Sequence, residues 1–158
     1  MLLTSIWTAE AIRPSRFLLL AVPDLFEGQA LDNRAGGFSA MEASWGERIV
    51  RISDMLLRAL AQGGDVWVLT RRRADGPNLL LARLRERAVE VGLGSRFRAA
   101  EAESLPAAGV FGDGFALTGA VAFTDTGPDF AGEGVVFELD PAAGRVSNLR
   151  TTFEGLLA

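Results

Sequence analysis

The chain contains no histidine, no cysteine and no tyrosine. It has no lysine either, so all 16 of its basic residues are arginine. These gaps remove imidazole bases, thiolate nucleophiles, Schiff-base amines and phenol acids. They exclude a Ser-His-Asp triad and any zinc site built on histidine or cysteine. Without cysteine, disulfides say nothing about the redox compartment. No apolar run approaches the roughly 20 residues that a membrane-spanning helix needs. Met1 to Arg13 has neither a basic start nor a sustained apolar stretch, so it does not read as an export signal. The cytoplasm is the expected location, and no membrane contact is expected.

What remains for chemistry is Asp, Glu, Ser, Thr and Arg. An oxygen-ligand metal site is compatible with that set, but no pattern for a metal or cofactor is present, and none is expected. A chain so depleted of reactive side chains is better suited to holding something than to making bonds, and an enzyme is not the first expectation. With 158 residues, 49% of them apolar and 23% charged, the composition is that of a globular protein. One domain over residues 1–158 is sufficient.

Short apolar runs mark the strands. Arg16 to Val22 is a continuous run ended by Pro23, as expected of a buried strand. Met1 to Trp7 reads as a further strand, and Pro23 to Gly37 as a loop rich in turn residues. From Ser39 to Gln62, the residues Met41, Trp45, Ile49, Ile52, Leu56 and Ala59 recur at three- and four-residue spacing. That pattern predicts a helix, with Ser39 and Glu42 at capping-box spacing and Gly63-Gly64 as the stop. Asp65 to Thr70 predicts a strand, and Pro77 to Val91 a helix with an inner stripe of Leu80, Leu84, Ala88 and Val91.

The last third alternates. Phe115, Leu117, Val121 and Phe123 face one way, and Val135, Phe137 and Leu139 continue the pattern. Asp140 to Gly144 reads as a tight turn into a final strand at Val146 to Arg150, and Phe97 to Glu103 as another strand. The expected fold is therefore α+β: two main helices packed on a mixed, largely antiparallel sheet with a C-terminal β-meander. The strand pattern of residues 114–158 resembles the cone-shaped sheet of the NTF2-like (SnoaL-like) group, which makes such a cone one option. Val66 to Val91, with Thr70-Arg71 after its strand, resembles the strand–Thr-Arg–helix opening of uroporphyrinogen III synthases. Both resemblances are of strand and helix pattern, not of motif, and neither family is assigned.

Charge is segregated. Residues 71–98 hold eight arginines against Asp75, Glu86 and Glu90, a net +5, whereas residues 99–144 hold eight acids and no arginine, a net −8. The plainer account is mutual neutralisation across one fold; the sharper one is an arginine patch that binds an anion. The best local candidate is Arg71, Arg72, Arg73 and Gly76, between a strand end and a helix N-terminus, where free N–H groups favour a phosphate or carboxylate. A second candidate is acidic. Asp125, Asp129 and Glu133 share a glycine-containing loop, and Asp113 precedes it. Carboxylates there could hold a cation or act as a base, although solvated turn acids are the simpler account.

Arg83 and Arg87 share a helical face. With a net charge of −4 and no aromatic residue within the arginine run, nucleic acid is not an expected partner. The expectation is instead a non-catalytic binding or accessory module, acting through protein–protein contact or anion binding, with a protein partner, a homo-oligomer or an anionic small molecule as its counterpart. The alternative is a small carboxylate-based enzyme or small-molecule-binding protein with an NTF2-like pocket.

Overall fold

The computed structural model describes residues 2–105, 107–119, 121–124, 127–130, 136–139, 141 and 143–157. It shows an α+β fold, with four helices on a mixed six-stranded sheet and two small two-stranded sheets beside it. Helix α1 (Leu2–Ile12) is followed by β1 (Phe17–Val22), β2 (Gln29–Asp32), β3 (Ile49–Arg51) and α2 (Ile52–Ala61). Then come β4 (Asp65–Arg71), α3 (Leu79–Glu90), β5 (Phe97–Ala102), β6 (Gly109–Phe111) and β7 (Phe115–Thr118). The chain continues through β8 (Val121–Thr124), β9 (Gly127–Phe130), β10 (Val136–Leu139) and α4 (Ala143–Leu157).

The main sheet runs β10-β7-β6-β1-β4-β5. Strands β1, β4 and β5 are parallel, with Phe17 opposite Asp65 and Val66 opposite Phe97. Strands β6, β7 and β10 add an antiparallel arm. Strand β1 is buried along its whole length, which is why its sequence is a continuous apolar run and not an alternating one. Leu18, Leu20 and Val22 face a core shared with α1, α2 and α3. Phe17, Leu19 and Ala21 face the opposite side, where Phe153, Val146 and Leu149 of α4 cover them. Helices therefore lie on both faces of the sheet, and it does not take the cone arrangement.

Several stretches depart from the sequence expectation, β2 within the expected loop Pro23 to Gly37 among them. Residues 2–12 are helical, and Leu3, Ile6, Trp7, Glu10 and Ala11 form its buried stripe at helical spacing. The long helix predicted from Ser39 begins only at Ile52. Before it stand a 3-10 turn at Ala43–Trp45, Gly46 with a φ of 54° that ends it, and β3. The strand predicted at Val146 to Arg150 lies inside α4, where Val146, Leu149, Phe153 and Leu157 meet the sheet at spacings of three and four. The predicted run from Phe115 to Phe123 is two strands, parted at Gly119 with a φ of 137°.

Helix α4 is fixed to the sheet by stacked arginines as well as by apolar contact. The Arg150 guanidinium of α4 lies 4.7 Å from the Phe17 ring centre, and that of Arg98 in β5, 4.9 Å from the Trp67 ring centre, reaches Glu154 of α4 at 3.7 Å. The Phe17 and Trp67 rings themselves meet edge to face at 5.0 Å. Among the described residues, no helix is long and apolar enough to cross a membrane.

Candidate functional site

The arginine run at the end of β4 is placed by the strand, and the charge of Arg73 is already engaged. Arg73 donates to Asp75 from Nε at 2.8 Å and from Nη2 at 2.7 Å, and reaches Asp24 at 3.3 Å. These carboxylates, with Glu101 nearby, raise the Arg73 pKa further, and the hydrogen bonds from Arg73 in turn hold Asp75 below the usual carboxylate range. Arg72 lies 3.7 Å from Glu103, both well exposed. Arg71 is exposed at the strand end, where its N–H donates to the Pro23 carbonyl at 3.1 Å. Gly76 adopts a φ of 124° in the turn before α3.

The N-terminus of α3 is also filled from within. The Asn78 side chain accepts from Leu80 N at 3.0 Å and Leu81 N at 3.2 Å, and Glu101 accepts the Asn78 N–H at 3.1 Å. Strand and helix do bring Arg71, Arg72, Arg73 and Gly76 together, but the N–H groups expected to meet an anion are capped by the chain's own side chains.

Of the acidic candidates, Asp113 is described in full. It sits in the turn between β6 and β7 and accepts from Arg16 N at 2.6 Å and Phe17 N at 3.2 Å. It thus fastens the start of β1. Asp129 lies in β9, and Asp125 and Glu133 fall outside the described residues. Among the described residues no group of three or more acids could hold a metal ion.

A cavity of about 560 Å³ lies beside Asp113, lined by Ile6, Arg13, Phe115, Phe137 and Leu139, with Glu10 at its wall. Glu10 is 6% exposed. It accepts from the Ser15 hydroxyl at 2.6 Å and the Ser15 N–H at 2.9 Å. Burial, the largest influence, raises its pKa; the Ser15 hydrogen bonds oppose this, and the Asp113 charge adds to it.

A raised folded-state pKa means that the protonated carboxyl favours the fold. This contribution is complete below the ordinary value of 4.5 and is lost as pH rises through the raised value. We expect the stability difference between Glu10→Gln and the unsubstituted protein to move in favour of the variant as pH rises from about 4.5 to about 7. Urea unfolding across that range measures it, and a difference independent of pH would contradict the burial argument.

The positive surface that the fold does assemble lies elsewhere, along the seam between α2 and α3. Arg48 donates to the two Asp54 oxygens at 2.7 and 2.9 Å, and the Arg51 N–H reaches Asp54 at 2.8 Å. Burial alone would raise the Asp54 pKa, but these hydrogen bonds and the Arg48 and Arg87 charges hold it low. Arg87 and Asp54 line one concavity of about 300 Å³. Arg83, one helical turn before Arg87, lines a second of about 430 Å³ with Phe26 and Glu27. The Arg51 guanidinium joins this side by donating to the Glu27 carbonyl at 3.0 Å.

Four guanidiniums (Arg48, Arg51, Arg83 and Arg87) thus flank Asp54 and Glu27, while Glu42 and Asp75 line the same two concavities. Asp54 is committed to Arg48 and the α2 N-terminus, and Glu27 accepts the Ser53 N–H at 3.1 Å. Sequence reasoning found the Arg83–Arg87 pair and missed Arg48 and Arg51. The signal available was the run Glu47-Arg-Ile-Val-Arg51, one residue before Ser53-Asp54, a helix start with basic residues around it.

No protein-family model matches the chain, and no curated protein matches it. Among solved structures it is similar to TrmBL2, described as an archaeal chromatin protein that shows a novel mode of DNA binding, with a TM-score of 0.47 and 12% identity. The match covers 97% of this chain and 47% of that one, so the chain spans about half the length of that protein. A likeness of this degree is one of backbone trace and assigns no residue here a role. The expected module acting through protein–protein contact or anion binding, its small-molecule alternative and the setting aside of nucleic acid find no support in that neighbour, which is described as binding DNA. Those expectations are withdrawn. In the structure Arg73 is paired with Asp75 and Asn78 caps the α3 N-terminus, while Arg71 and Arg72 stay exposed.

Proposed function

We propose that the chain binds nucleic acid without sequence preference, through the α2–α3 seam. The observation that carries this reading is the convergence of Arg48, Arg51, Arg83 and Arg87 beside the two concavities of that seam, whose carboxylates are already engaged. Asp54 is held by Arg48 and the Arg51 N–H, Glu27 by the Ser53 N–H, Glu42 by Ser44 and Arg58, and Asp75 by Arg73. Guanidiniums with donors to spare suit phosphate oxygens, and displaced counterions make such binding salt-dependent. The overall charge of −4 is compatible with a local basic face if acids lie away from it. Asp113, beside the opposite end of β1, is one such acid. A cytoplasmic place of action, where such polymers occur, belongs to the same proposal.

Fluorescence anisotropy with labelled DNA, titrated between about 50 and about 200 mM salt, tests it. We expect affinity to fall with salt. Replacing Arg51, Arg83 and Arg87 together by Gln should lower the slope of log affinity against log salt by about one per arginine, whatever the sequence. Circular dichroism checks that the variant is folded. An unsubstituted protein that does not bind at low salt, or a triple variant with an unchanged slope, would refute the reading.

A further inference from the structure

Beside the arginines of the seam stands an exposed aromatic ring. Phe26 is 43% exposed, and it lines the concavity of about 430 Å³ with Glu27, Arg73, Pro77, Leu79 and Arg83. Leu79 is 70% exposed, so the floor beside the ring is also apolar. A single exposed phenylalanine is ordinary on a protein surface. What sets this one apart is how the backbone around it is held. On one side, the Asn78 amide donates to Asp24 at 3.0 Å and to the Leu25 carbonyl at 3.1 Å, tying the segment to the start of α3. On the other, Ser53 N–H donates to Glu27 at 3.1 Å, Ile52 N–H to the Gly28 carbonyl at 3.1 Å, and Arg51 to the Glu27 carbonyl at 3.0 Å. The ring is thus presented from a braced loop between two helix N-termini, with Arg51 on one flank and Arg83 on the other.

We infer that this surface takes single-stranded nucleic acid, with a base stacked on Phe26 and the flanking phosphates on Arg51 and Arg83. The inference rests on the reading of the seam as a nucleic-acid interface and adds the class of ligand. A base in a duplex has both faces covered by its neighbours, so a ring on a rigid surface gains nothing from it. An unpaired base offers its face to the ring without regard to its identity, and the guanidiniums hold the backbone beside it. The two carboxylates that line this concavity, Glu27 and Asp75, do not obstruct the strand. Glu27 is turned into the α2 N-terminus, and Asp75 is neutralised by Arg73. Ordering is inexpensive, since the loop is fixed before the ligand arrives.

The test compares oligo(dT) of about 15 nucleotides with the same strand annealed to oligo(dA). The unsubstituted protein should prefer the single strand. Phe26→Ala should weaken oligo(dT) binding about tenfold and leave duplex binding within about twofold. Phe26→Trp should restore the affinity, and its added fluorescence should be quenched when oligo(dT) binds. The native tryptophans Trp7, Trp45 and Trp67 are at most 3% exposed and form a steady background. Equal affinity for duplex and single strand, or a Phe26→Ala variant that binds oligo(dT) undiminished, overturns the inference. If the arginine variants then still lose salt-dependent binding, the interface stands and only the stacking falls. If the unsubstituted protein binds neither form, both fall.

Discussion

Gly109→Ala should lower the unfolding free energy by about 3 kcal/mol or more, read as a fall in Tm of about 6–12 °C. Gly109 sits where β6 is hydrogen-bonded on both sides, opposite Ala21 of β1 and Thr118 of β7. Its φ of 153° is one that side chains rarely adopt. A Cβ built there overlaps the Leu117 carbonyl oxygen and stands 2.9 Å from Cζ of Phe111. The oxygen belongs to a strand in the sheet, and Phe111 is fully buried, so neither has room to yield. Relief therefore requires β6 to part from β7, at the junction between the parallel and antiparallel halves. A loss under about 1 kcal/mol would mean that the junction is looser than its packing implies.

The second large effect is expected at Arg58. This residue of α2 is 9% exposed and ties three segments together. Its Nη1 donates to the Met41 carbonyl at 2.8 Å and to Glu42 at 3.3 Å, and its Nη2 to the Ala11 carbonyl at 3.0 Å. The Trp45 ring lies 5.4 Å from the guanidinium carbon. Arg58→Leu keeps most of the volume but leaves two carbonyls facing an apolar side chain, and Glu42 with Ser44 alone. We expect a cost of about 3 kcal/mol in urea unfolding, with an unchanged denaturant slope. Arg58→Lys should recover only part of it, because one ammonium cannot span the Ala11 and Met41 carbonyls as the planar fork does. A neutral leucine variant would show the guanidinium to be a passenger.

The parts of the fold that could be read from sequence were those whose local pattern and tertiary role agree. The runs at 17–22 and 65–71 are buried on both faces, and their continuous apolarity signals that directly. The stripe of α3, closed by Asn78, gave its position within two residues. Where two periods competed, the shorter view failed. Leu2 to Trp7 holds enough apolar residues to pass as a strand, and only Glu10 and Ala11, one turn on, reveal the helical spacing. Val146 and Leu149 look like strand residues until Phe153 and Leu157 are included. The stripe from Met41 to Ala59 was an accident of spacing, because Gly46 and β3 interrupt it.

The interface was harder to read for a different reason. Arg83 and Arg87 are near neighbours in sequence, whereas Arg51 and Phe26 reach them only because loop 23–28 is bound to the N-termini of α2 and α3. Charge counted along the chain assigned the basic character to residues 71–98 as a block. Folding divides that block: Arg73 is consumed by acids, and two arginines from outside it join the seam.

The position of β1 also bears on how the chain is made. Leu20 lies between Val68 and Val110, so the central strand is synthesised long before either of its neighbours. On a ribosome, α1, α2, α3 and the parallel strands can assemble once β5 has emerged, while the β6 side of β1 still waits for residues 109–111 and its other face for α4. During that interval an apolar strand with open backbone donors and acceptors is exposed to other nascent chains. The same long-range closure places this fold among the slower folders of its size.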